Sequence, residues 1–220
     1  MSKKVIAAMA SGGLDSCVLV DWLAERYQLV LPVYVSCGLA WEAGEREALE
    51  RFVEALERPN IESTVSLSVD MRDVYSEEWF MTGENVPGAE DPREAISIPG
   101  RNLVLLGKTA VFCALREIPS LALGFIQARE ADHADATEDF FHRYEGLIEQ
   151  GLGFPLRILA PFREMPKADV IRMGQHLPLE LSLSCFNPYQ GKHCGECYSC
   201  ARRREAFVAA SVADCTVYHN

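Results

Sequence analysis

At 220 residues, 49% apolar and 24% charged, the chain has the make-up of one large globular domain or a domain with an appendage, with enough material for a substantial core. No apolar run approaches membrane-spanning length and the first residues lack the h-region of a secretory leader. The net charge of −11 argues against a broad surface for nucleic acid or anionic membrane. Eight cysteines without a leader point to a reducing, cytoplasmic setting, where grouped cysteines bind metal more often than they form disulfides.

Val5-Ile6-Ala7-Ala8-Met9-Ala10 reads as a buried strand, and the residues from Cys17 to Leu23 carry the apolar spacing of a helix. Between them stands Ser11-Gly12-Gly13-Leu14-Asp15-Ser16. A glycine-rich turn feeding a helix N-terminus aims several backbone N–H groups outward, and the helix dipole favours an anion there. The loop is not a Walker A sequence, which ends in Gly-Lys-Ser/Thr; Asp15 stands where that lysine would be.

Residues 29–35 read as a second strand, 42–56 as an amphipathic helix and 63–67 as a third strand. The stretch 70–98, with Gly, Pro and acidic residues and little periodicity, reads as an irregular insertion of the length of a substrate lid. A helix over 102–116, stopped before Pro119, leads to a fourth strand over 121–126. Thr137 is placed to cap a helix running to Gln150, and Pro166 to open one over 167–173. Strands alternating with helices predict an α/β fold with a doubly wound, mostly parallel sheet, whose ligands sit at the switch point beyond the strand C-termini. The division expected is a nucleotide-binding domain over 1–180 and a metal-binding segment over 181–220 packed on it.

That segment carries Cys185-x8-Cys194-x2-Cys197-x2-Cys200. Cysteines three apart are too close to pair with one another but can wrap one ion, and four thiolates in a tetrahedron make a closed, structural Zn²⁺ site. An iron–sulfur cluster and unliganded buried thiols are the other readings. Cys17, Cys37, Cys113 and Cys215 are isolated and read as small core residues.

Ser-Gly-Gly-x-Asp-Ser resembles the PP-loop of ATP pyrophosphatases, enzymes that cleave ATP between its α- and β-phosphates. Together with Pro99-Gly100-Arg101-Asn102, Lys167 and the four-cysteine knuckle followed by Arg202-Arg203-Arg204, the chain resembles the 7-cyano-7-deazaguanine synthase family from about residue 5 to 207. That resemblance implies a homodimeric PP-loop fold that uses ATP, Mg²⁺ and ammonia to turn 7-carboxy-7-deazaguanine into the nitrile. It implies that Ser11, Gly12, Gly13, Asp15 and Ser16, flanked by Ala10 and Leu14, hold the phosphates and Mg²⁺. Arg101 and Asn102 then line the nucleotide or substrate, Lys167 neutralises phosphate charge, and Gly38 and Asp135 meet the substrate, Asp135 through a guanine-type edge.

The family's polar Tyr-Gly-Gln segment, followed by a basic residue and His, is here the apolar Cys37-Gly38-Leu39-Ala40-Trp41-Glu42. A paralogous ligase acting on a different carboxylate therefore stands beside the first reading. His133, within the run from Gln127 to Asp135, reads as a loop histidine. A tRNA sulfurtransferase would need a reactive cysteine pair and a basic surface, and the isolated Cys37 and Cys113 and the −11 charge count against it.

Overall fold

The computed structural model describes residues 3–126 and 134–219; the 127–133 stretch, with His133, lies outside the described residues. Five strands form one parallel sheet in the order β3-β2-β1-β4-β5: β1 (Lys3–Met9), β2 (Tyr27–Ser36), β3 (Val65–Ser68), β4 (Ser120–Leu123) and β5 (Arg157–Leu159). The helices in chain order are α1 (Leu14–Ala24), α2 (Glu42–Ala55), α3 (Arg72–Tyr75), α4 (Trp79–Thr82), α5 (Arg101–Leu115), α6 (Glu138–Leu152), α7 (Lys167–Met173) and α8 (Tyr198–Ala210).

The central strand is apolar on both faces, as a strand covered on both sides must be. Ile6 and Ala8 face a core shared by α1, α7 and α8, while Ala7 faces a second core with α5 and α6. The chain runs from β1 outward through β2 and β3, then returns to the other side of β1 at β4. The crevice between the C-terminal ends of β1 and β4 is thus the switch point, and the β1–α1 loop opens into it.

Differences from the sequence reading have local causes. The fourth strand stops at Leu123 rather than 126 because Gly124 passes close to the start of α1; a Cβ there would lie 3.1 Å from backbone atoms of Asp15 and Ser16. β5 has three residues, of which only Ile158 is buried, too short a run to show periodicity. The 70–98 insertion is not structureless: α3, α4 and a 3₁₀ turn at Arg93–Ile96 wrap aromatic side chains. Trp79 stacks on Trp41 at 5.5 Å, and both meet Phe186. The apolar residues Cys37, Leu39 and Trp41 are therefore the partners of this insertion. Thr137 caps α6, accepting the Phe140 N–H at 3.1 Å.

The stretch Arg93–Leu115 is long and apolar enough in composition to cross a membrane. Its continuous helix, however, is the 15 residues of α5, about 22 Å at 1.5 Å per residue and short of a hydrocarbon core of about 30 Å.

Gly12 carries the positive φ of the β1–α1 turn, at 80°, and packs under α2: a Cβ would stand 2.3 Å from the Glu45 carbonyl oxygen. Since that neighbour is helix backbone, it cannot rotate away. Gly12→Ala is expected to cost on the order of 3 kcal/mol from overpacking plus the left-handed backbone. For a chain of this size that lowers Tm by roughly 6–12 °C, and a melting curve matching wild type would show that α2 yields at no cost.

Candidate active site and metal centre

The β1–α1 turn is held by its own hydroxyls. The Ser11 N–H donates to Ser16 Oγ at 3.2 Å, the Ser16 hydroxyl donates to Gly13 O at 2.8 Å, and the Gly13 N–H donates to Ser11 Oγ at 3.2 Å. Ala10 is pinned to β2 through its N–H to Val33 O at 3.0 Å. Gly13 is the N-cap of α1 in extended conformation, without a side chain to cap the first turn. The amides at the start of α1 therefore face the crevice with the positive end of the helix dipole behind them.

Asp15 lies in that first turn, and α7 delivers Lys167 to it from 152 residues away: Nζ stands 2.7 Å from Oδ2. Pro166 precedes Lys167 as the α7 N-cap, so the sequence sets where the lysine emerges. The other Asp15 oxygen, Oδ1, is buried with no hydrogen-bond partner among the described residues. A buried carboxylate oxygen left unpaired is costly unless a ligand or cation completes it.

These residues border a cavity of about 330 Å³ lined also by Arg101, Asn102, Gly124, Tyr34, Leu39, Glu45 and Phe186. Arg101 opens α5 behind Gly100, whose φ is 70°. The buried Asn102 fixes that helix start: its N–H donates to Asp135 Oδ2 at 3.1 Å and its Nδ2 to Asp135 O at 3.2 Å. Asp135 thus caps α5 and is not among the described residues lining the cavity. Gly38 lies behind the wall as well, with φ 97° and its N–H donated to the Glu42 carboxylate. The structure therefore gathers Ala10, Ser11, Gly13, Leu14, Asp15, Ser16, Arg101, Asn102 and Lys167 around one space, while Gly12, Gly38 and Asp135 shape its borders.

Two acids of α2 carried no signal in the sequence beyond an amphipathic helix. Glu42 accepts from the Cys37 and Gly38 amides, at 2.6 and 3.1 Å, and from the Ser36 hydroxyl, and so moulds the turn after β2. Glu45 accepts the Tyr34 hydroxyl at 3.2 Å. Burial pushes the Glu45 carboxyl up from 4.5 to about 7, with Arg101, the Tyr34 hydroxyl and the Trp41 indole opposing that rise and Glu42 adding to it. A folded-state pKa above the unfolded one means the native state holds the proton more tightly. The stability Glu45 contributes is then present below pH 4.5 and lost as pH rises through about 7. Glu45→Gln is expected to flatten the decline in Tm between those pH values; an unchanged pH profile would assign the decline to other groups.

At the far wall, the sulfurs of Cys185, Cys194, Cys197 and Cys200 all lie within 4.8 Å of one another, with Cys185–Cys197 at 4.0 Å and Cys194–Cys200 at 3.9 Å. Four thiolates at about 2.3 Å from a central ion in a tetrahedron stand about 3.8 Å apart, so the group fits one metal ion. A polynuclear iron–sulfur cluster would hold the sulfurs further apart. Backbone N–H groups of Asn187 and Cys194 point at Cys185 Sγ, and those of Glu196 and Cys197 at Cys194 Sγ, which suits thiolate charge. Hydrogen bonding from the other sulfurs, Cys185 first, holds Cys194 far below the ordinary thiol range. Arg204 closes the ligand loop on Gly195 O at 2.8 Å. Arg203 is instead buried and bound to Ser182, Ser184, Thr216 and Leu179 O. The metal group is tied to the crevice: the Leu183 N–H donates to Gly12 O at 2.8 Å, and Leu183 to Phe186 all line the cavity.

A doubly wound parallel sheet with a glycine-rich, aspartate-bearing loop at its switch point, and a four-cysteine group packed beside it, defines a PP-loop α/β protein. The chain belongs to the QueC family: the family model described as queuosine biosynthesis protein QueC matches residues 4–211. It is 32% identical to a 7-cyano-7-deazaguanine synthase of Methanopyrus kandleri over 96% of each chain. A protein of that name from Methanothrix thermoacetophila is 30% identical over 96% of this chain and 97% of its own. A third, from Methanobrevibacter smithii, is 29% identical over 100% and 99%.

Proposed function

We propose that this chain is an ATP-dependent carbon–nitrogen ligase that converts 7-carboxy-7-deazaguanine to 7-cyano-7-deazaguanine. The substrate carboxylate attacks the α-phosphorus of ATP and pyrophosphate leaves; ammonia then displaces AMP to give the amide. A second ATP activates the amide oxygen, which departs with AMP as the nitrile forms. Membership of the QueC family and the names of the relatives support this reading.

The observation that carries it is the meeting of Lys167 and Asp15 beside the open first turn of α1, in the same cavity as Arg101. The α1 amides, with Ser11, Gly12, Gly13, Leu14 and Ser16 and with Ala10 at the base, receive the pyrophosphate. Lys167 acts as a point cation on developing phosphate charge, and Arg101 and Asn102 flank the reacting carboxylate. Asp15, with its unpartnered Oδ1, fits as the residue that holds Mg²⁺, which supplies charge neutralisation at the phosphates. Cys185, Cys194, Cys197 and Cys200 hold one Zn²⁺ with no open position for substrate.

A sulfurtransferase finds no support, because burial pushes the Cys37 and Cys113 thiols up to about 12, leaving them poor nucleophiles. The exposed apolar side chains of Leu115 and Leu147, on the neighbouring helices α5 and α6, support a homodimer, which light scattering of purified protein would test. The deciding experiment for the activity is to supply purified protein with ATP, Mg²⁺, ammonium and 7-carboxy-7-deazaguanine. Release of AMP and pyrophosphate with the nitrile is expected. ATP binding without turnover would move the assignment to another carboxylate.

A further inference from the structure

We infer that Glu45 is the residue that reads the hydrogen-bonding edge of the heterocyclic substrate, a guanine-type ring that presents a ring N–H and an exocyclic amino group side by side; the inference rests on the function proposed above. Two parallel donors are matched by one carboxylate, which accepts at both oxygens. Among the described residues three acids line the cavity. Asp15 faces Lys167, and Glu42 has both oxygens taken by Ser36, Cys37 and Gly38.

Glu45 accepts the Tyr34 hydroxyl at 3.2 Å and a hydrogen bond from the Trp41 side chain, which leaves about half of a carboxylate's roughly four acceptor sites unused. Asp135, the carboxylate that the sequence assigns to this work, accepts the Asn102 N–H at Oδ2 and is not among the described residues lining the cavity. Leu39 and Phe186 line the same cavity and give a flat ring apolar contact. Burial holds the Glu45 proton to about pH 7, and two donors arriving at the carboxyl favour its ionised form. An adenine edge pairs an acceptor with a donor and mismatches a carboxylate, so Glu45 separates the substrate ring from the base of ATP.

The test uses calorimetric titration of wild type and Glu45→Gln with 7-carboxy-7-deazaguanine and with the analogue lacking its exocyclic amino group. Wild type is expected to bind the analogue about 10–100-fold more weakly than the substrate, the range of one unmade buried hydrogen bond. Glu45→Gln is expected to bind the substrate weakly and to treat the two compounds alike, with its Kd for ATP unchanged. Asp135→Asn is expected to keep the wild-type discrimination. Where circular dichroism shows that Glu45→Gln has not folded, Tyr34→Phe, which frees the carboxylate from its orienting hydroxyl, is expected to reduce the same ratio. A discrimination ratio equal in wild type and Glu45→Gln, or one lost in Asp135→Asn, overturns the inference alone. Wild type that binds ATP and neither heterocycle overturns the substrate reading and this inference with it.

Discussion

Replacing Cys197 with serine is expected to remove the bound metal and, with it, most of the soluble folded protein. Cys197 is a buried ligand candidate, the N-cap of α8 and, through its N–H, a donor to Cys194 Sγ. A structural zinc contributes on the order of 10 kcal/mol of apparent binding free energy that exists only in the folded chain. Net stability of a domain is about 5–15 kcal/mol, so losing that term leaves little margin. The loss also reaches the cavity. Leu183 holds Gly12 O, and the segment Leu183 to Phe186 forms one wall, so a slackened knuckle is expected to displace the β1–α1 turn proposed to receive phosphate. Elemental analysis is expected to find about one zinc per wild-type chain, and a chelator to lower Tm steeply. Reduced, well-folded protein free of metal, or Cys197→Ser with wild-type Tm, would refute the assignment.

What the sequence carried was mostly what is written in short, contiguous signals. The first strand and its Ser-Gly-Gly-Leu-Asp-Ser turn are adjacent in the chain, and the four cysteines fall within sixteen positions, so the loop and the cysteine group are both legible in the sequence. The pairing of Asp15 with Lys167 was not, because it spans 152 residues and depends on how α7 packs against α1. Glu42 and Glu45 looked like two more acids on the solvated face of an amphipathic helix. Their roles appear only when β2 brings Tyr34 and the Cys37 amide beneath them. Asp135 aligns with a substrate-binding position, and its Oδ2 also satisfies the orphan Asn102 amide at the start of α5, a contact that the sequence does not show. The insertion over 70–98 hid its helices because α3 and α4 are four residues each, a single turn with no period to detect.

Lys167→Ala is expected to lower the rate of pyrophosphate release by about 10²–10³-fold, the usual loss when one preorganised partner of developing charge is removed. The ammonium group stands 2.7 Å from Asp15 Oδ2, with about a quarter of the lysine side chain and a fifth of the aspartate side chain exposed. A pair that partly reaches solvent contributes only about 1 kcal/mol or less to folding, so Tm is expected to move little while kcat falls. Lys167→Arg is not a neutral control: the guanidinium is a planar fork, bulkier than a point charge, and is expected to restore only part of the rate. Asp15→Asn is expected to be similarly impaired, since an amide keeps the shape but offers a cation far less charge. If the two side chains act as one device, Lys167→Ala combined with Asp15→Asn will be no slower than the worse single variant. Independent action would instead multiply the two losses. A Lys167→Ala enzyme that releases pyrophosphate at the wild-type rate would reduce the contact to a surface ion pair and leave the phosphate charge to Arg101 and the α1 amides.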